Sequence, residues 1–239
     1  MFQKIKMVKT HIFKNNEAVA EAFADFLQKE IAQVEKINIA LSGGSTPKVL
    51  FDILAKKYAD KIRWKKVHFY WGDERCVAPT DEESNYKMTD EKLLQHINIP
   101  PENIHRVLGE NDPTEEANRY GELIEGNLNL KSGLPIFDLI ILGMGSDGHT
   151  ASIFPHEIEL LEVDKTCAVA VHPESGQRRI SLTGKVINTA RQVHFLVTGA
   201  SKNSVVEEIF SKTGNYKSYP AAHIESAEWW MDESAGNIN

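Results

Sequence analysis

The sequence predicts an α/β fold in which helices cover both faces of a parallel sheet. Three observations carry this reading. Short, nearly continuous apolar runs such as IFDLIIL (136–142) and CAVAV (167–171) read as strands buried on both faces. They alternate with longer stretches of helical periodicity. The polar, glycine-rich segments follow the carboxyl ends of strands, where open α/β sheets bind their ligands. No linker, internal repeat or low-complexity segment divides the 239 residues, so one domain over 1–239 is expected.

The elements follow in order. Residues 16–33 place Val19, Phe23, Phe26, Leu27 and Ile31 on one helical face. INIAL (37–41) is a buried strand that ends at Ser42-Gly43-Gly44. Pro47 suits the first turn of the next helix, which runs through VLFDILAKKY. VHFYW (67–71) is a second strand, ending at Gly72-Asp73-Glu74-Arg75. Helices are expected near 84–95 and 115–127, then the strand 136–142, which ends in Gly143-Met144-Gly145. CAVAV is read into the same parallel sheet. A short helix near 182–190, a strand at 192–198 and a helix from 199 follow. The tail SAEWWMDESA reads as a short strand running into a final turn or helix.

Composition narrows the function. Apolar residues make up 41% and charged residues 26%, ordinary for a globular protein. A net charge of -7 argues against a general nucleic-acid surface, yet a small anion needs only a few local cations and backbone donors. Cys76 and Cys167 form no CxxC-like pair and read as free thiols in a reducing compartment. The N-terminus MFQKIKMVKTHIFKNNE has no apolar run or cleavage site of a signal peptide, and no stretch approaches the roughly 20 apolar residues of a membrane span. A cytosolic protein is expected.

Four segments carry chemistry. Gly43, Gly44, Ser45 and Thr46 lie between a strand and a helix, where backbone N–H groups, hydroxyls and the helix N-terminus can cradle a phosphate. The GK[ST] ending of a Walker loop is missing, and an ordinary capped turn fits this segment as well. Gly72-Asp73-Glu74-Arg75 offers a guanidinium to clamp an anion and a carboxylate, Asp73, to hold a hydroxyl or a water; a surface ion pair is the alternative. Arg63, Lys65 and Lys66 precede the strand and read as solvated charges. The turn 143–150 delivers His149, a natural general base, to the pocket mouth near an expected helix start. Asp147 can orient that histidine, touch substrate or cap the turn. The turn is not read as a dinucleotide fingerprint, because no acidic residue with its own following strand completes one. Arg178 and Arg179, before an apolar helix, and Lys202, in the TGASK segment, are either phosphate contacts or solvent-facing charges. No histidine shows HExxH spacing and no GxSxG elbow occurs, so neither metal nor serine nucleophile is expected. The residues alone describe an enzyme acting on a phosphorylated or carboxylated small molecule.

LSGGSTP (41–47), GDER (72–75), GMGSDGHTASIFP (143–155), RRISLT (178–183), TGASK (198–202) and PAAHI…WWMD (220–232) together resemble the 6-phosphogluconolactonases, in order along nearly the whole chain. The resemblance implies a Rossmann-like parallel sheet, related to glucosamine-6-phosphate deaminases, ribose-5-phosphate isomerase and CoA transferases. It implies hydrolysis of a sugar-phosphate lactone without a cofactor. His149 would be the base, Arg75 and Arg179 substrate contacts, Lys202 a phosphate-end contact and residues 43–46 a phosphate loop. The deaminases are the alternative. They continue DGH with a run ending in an acid, whereas this chain continues with Thr150-Ala151-Ser152-Ile153-Phe154-Pro155, and Glu157 lies out of register. The deaminases also more often carry an aromatic residue at the position of Arg75. A sugar-phosphate sensor without activity is a third reading, opposed by the presence of His149.

Overall fold

The computed structural model describes residues 9–237, so the first eight residues of the N-terminal segment lie outside the described part. Its strands are β1 (Lys9–Phe13), β2 (Ile37–Leu41), β3 (Val67–Trp71), β4 (Asp73–Arg75), β5 (Ile104–His105), β6 (Leu130–Lys131), β7 (Leu134–Pro135), β8 (Leu139–Leu142), β9 (Cys167–Val171), β10 (Arg178–Leu182), β11 (Val193–Val197) and β12 (Glu228–Asp232). Its α-helices are α1 (Asn16–Ala32), α2 (Ser45–Lys57), α3 (Asn85–Lys92), α4 (Pro113–Asn127), α5 (Gly184–Thr189), α6 (Asn203–Ser211) and α7 (Glu233–Gly236).

Seven strands form the central sheet in the order β1-β12-β11-β8-β2-β3-β5, and every neighbouring pair is parallel. Helices flank it, as the alternation of runs required. The four residues of β8 are at most 1% exposed, which explains why that run is apolar without interruption. From β2 the chain moves one way, through β3 to β5, and later returns to β2's other side to lay down β8, β11 and β12. The boundary between β2 and β8 is therefore the topological switch point, the usual ligand crevice of such a sheet.

The helices begin where their caps dictate. The Asn15 side chain accepts from Ala18 N–H at 2.9 Å, and α1 buries Val19, Phe23, Leu27 and Ile31, with Phe26 only half-buried. Asp112 accepts from the N–H groups of Thr114 and Glu115, so α4 starts two residues before the expected 115, with Pro113 in its first turn. The Tyr120 hydroxyl on α4 accepts from Trp71 N–H at 2.8 Å and pins the end of β3.

Four expectations are corrected. CAVAV (β9) does not join the parallel sheet: it forms an antiparallel three-stranded sheet with β10 and β4. Only Cys167 and Ala170 are fully buried and Val171 is 36% exposed, unlike the continuously buried strands of the central sheet. RRISLT is a strand rather than a lead-in to a helix, and GDER is itself a short strand rather than a loop. Lys66 is buried rather than solvated, its ammonium held by the Val34 carbonyl at 2.6 Å, while Arg63 and Lys65 are exposed. β1 went unread, because KTHIF sits at the sheet edge with mostly exposed positions and shows no apolar run.

Candidate active site

β11, β8, β2 and β3 are consecutive in the sheet, so the segments after their carboxyl ends meet. The join is stitched by backbone bonds: Gly72 N–H donates to the Leu41 carbonyl at 2.7 Å, and Leu182 N–H to the Gly72 carbonyl at 2.8 Å. Between them opens a cavity of about 230 Å³. Gly43, Gly44, Ser45, Thr46, Asp73, Arg75, His149, Arg179 and Lys202 all line it. Asp147 does not line it but reaches it through His149.

His149 and Asp147 form a pair, with Nδ1 of the imidazole 2.6 Å from Asp147 Oδ1. An ionised carboxylate can only accept, so Nδ1 carries the hydrogen and Nε2 keeps the free lone pair in the neutral ring. Burial raises the Asp147 carboxyl, but the hydrogen bond and charge of His149 outweigh it and bring its pKa down to about 2. The tight approach depends on Gly145: a Cβ there would stand 2.2 Å from His149 Nδ1 and 2.3 Å from Asp147 Oδ1. The expected helix start at His149 is not found. Ala151 takes φ 48°, Thr150 and Ile153 bridge across a tight turn, and helical geometry resumes only at Pro155. Gly143, Gly145 and Gly148 do stand in G-x-G-x-x-G spacing, but the turn opens no α-helix, so the phosphate-binding geometry of a dinucleotide fingerprint is not formed.

The opposite wall is cationic. Arg75 on β4 and Arg179 on β10 are direct cross-strand partners. Arg179 is only 9% exposed, its guanidinium 5.5 Å from the centre of the Phe154 ring, and Phe154 also packs on His149 with ring centres 4.8 Å apart. Burial, then the charge of Arg75, lowers the Arg179 pKa, although a guanidinium stays charged at any working pH. The Nε atoms of both arginines are buried without a hydrogen-bond partner. Two like charges with orphaned donors beside a polar cavity are stabilised by an anion. Lys202, lowered by burial against the opposing charge of Asp147, adds a third cation.

At the mouth, Gly44 caps α2 with φ 108°, a left-handed value that suits glycine. The N–H groups of Ser45 and Thr46 then lie in the first turn of a 13-residue helix, where no intrahelical acceptor reaches them. Asp73 is 5% exposed and its Oδ2 accepts from Ser152 Oγ at 2.7 Å. Glu157 does not line the cavity; its carboxylate accepts from Val171 N–H at 2.9 Å.

Sequence reasoning missed Asn85 and Thr198, both cavity-lining. The Thr198 hydroxyl lies 2.7 Å from that of Thr46. Asn85 follows the Ser84 cap of α3, so a helix start was legible there, but nothing local shows that α3 points its first turn at the pocket.

The family model described as glucosamine-6-phosphate isomerases/6-phosphogluconolactonase matches residues 14–231. The 6-phosphogluconolactonase of Haemophilus influenzae is 48% identical over 206 residues, covering 83% of this chain and 86% of its own length. That of Treponema pallidum is 40% identical over 229 residues, covering 96% of this chain and 92% of its own. The solved 6-phosphogluconolactonase of Trypanosoma brucei superposes with a TM-score of 0.88 at 28% identity, covering 97% of this chain and 98% of that one. With the motifs placed around one cavity and the family match covering residues 14–231, the chain belongs to the glucosamine-6-phosphate isomerase/6-phosphogluconolactonase family.

Proposed function

We propose that this protein hydrolyses 6-phospho-D-glucono-1,5-lactone to 6-phosphogluconate, the second step of the oxidative pentose phosphate pathway. The observation that carries the reading is the His149–Asp147 pair on the rim of a cavity walled by Arg75, Arg179 and Lys202. In this reading the phosphate is held by a subset of those cations and by the donors of residues 43–46, and its binding energy orients the lactone. His149 Nε2 takes a proton from water as the water oxygen attacks C1. The negative charge that develops on the carbonyl oxygen is met by a cation or by backbone N–H groups. The tetrahedral intermediate collapses, the bond from C1 to the ring oxygen breaks, and the protonated imidazole returns its proton to the departing C5 oxygen. Asp147 holds the tautomer and balances the imidazolium. Asp73 holds a substrate hydroxyl. The lactone is an activated ester, so this sequence requires no metal or cofactor.

The family description covers both lactone and amino-sugar chemistry. The engagement of Glu157 with β9, away from the cavity, favours the lactonase, because the deaminase reading needs an acid after the histidine. The test is 6-phosphogluconate formation from fresh lactone above the spontaneous rate, with glucosamine 6-phosphate in parallel. Lactone opening without ammonia release supports the reading, and ammonia release alone moves the assignment to the deaminases. We place the protein in the cytosol, where two free thiols, Cys76 and Cys167, persist. Among the described residues no helix is long and apolar enough to cross a membrane.

The cationic wall makes its own prediction. Arg179→Ala is expected to raise KM for the lactone about 10- to 100-fold, the worth of a charge-assisted hydrogen bond, with a smaller effect on kcat. Steady-state kinetics at saturating and limiting lactone check the split, and an unchanged KM removes Arg179 from the binding set.

A further inference from the structure

Glu74 sits between two cavity-lining neighbours in the chain, yet its own carboxylate is turned away into the protein and is 2% exposed. Its oxygens accept four hydrogen bonds. Oε1 receives Arg75 N–H at 2.7 Å and Asn85 N–H at 2.8 Å. Oε2 receives Tyr86 N–H at 2.7 Å and the Ser84 hydroxyl at 3.1 Å. Three donors belong to the cap and first turn of α3, where negative charge is favoured, and the fourth to β4. The clasp continues into the site. Arg75 Nη1 donates to the Glu83 carbonyl, immediately before the cap. Asn85 Nδ2 donates to the Asp73 carbonyl at 3.0 Å. The Asn85 amide fills the space a side chain at Gly43 would need, since a Cβ there would stand 1.9 Å from Asn85 Oδ1. Burial pushes the Glu74 carboxyl up, against the pull of its N–H donors, and losing any of these bonds would leave a buried polar group unpaired.

We propose that Glu74 is a positioning residue for substrate affinity: by clasping β4 to the start of α3, it holds the Arg75 guanidinium and the Asn85 amide in the cavity wall. Asn85 then contacts a hydroxyl of the sugar chain, and Glu74 touches no substrate. The inference rests on the sugar-phosphate reading of the cavity.

The experiment compares wild type, Glu74→Gln and Ser84→Ala for kcat and KM with the lactone, and for 6-phosphogluconate binding by calorimetry, below the onset of melting. Gln keeps the volume but sets an amide NH₂ against the donors of α3. Expected for Glu74→Gln is a rise of about tenfold in both KM and product Kd, with kcat within about threefold of wild type. His149 and Asp147, on a separate turn, stay in place. Ser84→Ala, which removes one of the four bonds, gives a smaller rise of the same kind, and it decides the matter if Glu74→Gln does not fold. Combining Glu74→Gln with Arg75→Ala gives less than the product of the two KM effects, because part of the Glu74 effect acts through Arg75. Unchanged KM in the folded variants, a fall confined to kcat, or fully multiplicative effects would each overturn the inference while leaving the lactonase reading intact. Wild-type protein that neither opens the lactone nor binds 6-phosphogluconate overturns both.

Discussion

Replacing His149 with alanine is expected to lower kcat for lactone opening by about 100-fold or more, the range for loss of a general acid–base group, with little change in 6-phosphogluconate affinity. His149 lines the cavity, and its Nδ1 is committed to Asp147, so Nε2 is the group available to accept a proton from water. The cations and the loop after β2 lie on other elements and remain to bind the phosphate. Measurement of kcat and of product binding for both proteins, after subtraction of spontaneous hydrolysis, checks this. A variant within a few-fold of wild type would remove His149 from the chemistry.

The second large effect is expected from Asp147→Asn, a loss of roughly 100-fold or more in kcat with KM nearly unchanged, because the amide no longer selects the productive tautomer or balances the imidazolium. Asn can offer its NH₂ to Nδ1, which would leave the hydrogen on Nε2, the wrong atom for a base. The carboxylate, with its pKa near 2, is ionised throughout any practical assay range, so its own titration adds no limb to the pH profile. Stability has a definite sign. The folded pKa lies below the ordinary value of 3.8, so the contribution is present above that value and is lost as pH falls from there through about 2. Asp147→Asn should therefore flatten the acid-unfolding profile between about pH 4 and pH 2, which circular dichroism can follow. Because the Asp147 side chain is 43% exposed, the change in stability is expected to be small beside the change in rate.

The elements most legible in the sequence were those whose burial matches their local pattern. β2, β3 and β8 are buried runs punctuated by glycine, and α1 and α2 carry an apolar stripe and a capped or proline-bearing first turn. β9 and β10 were misplaced for a physical reason. A five-residue apolar run does not say which sheet it will join, and the antiparallel pairing of β10 with β4 is made across about a hundred residues of chain. That pairing sets Arg179 directly opposite Arg75, so their placement as a facing pair was invisible although each arginine was a candidate by type.

By itself the sequence determined the composition of the site: a histidine with an acidic neighbour two residues away, a glycine-rich turn ahead of a helix, and three candidate cations. Residue type and local spacing decide these, because proton transfer and phosphate binding demand particular groups. Tertiary structure alone decided their arrangement. The order β11-β8-β2-β3 brings four distant segments to one crevice, and the β4–β10 pairing forces two guanidiniums together. The buried Glu74 clasp swings Asn85 into the wall. Such contacts depend on chain segments meeting in space, where burial raises the cost of an unpaired charge and so selects its partners, and no local pattern encodes that meeting.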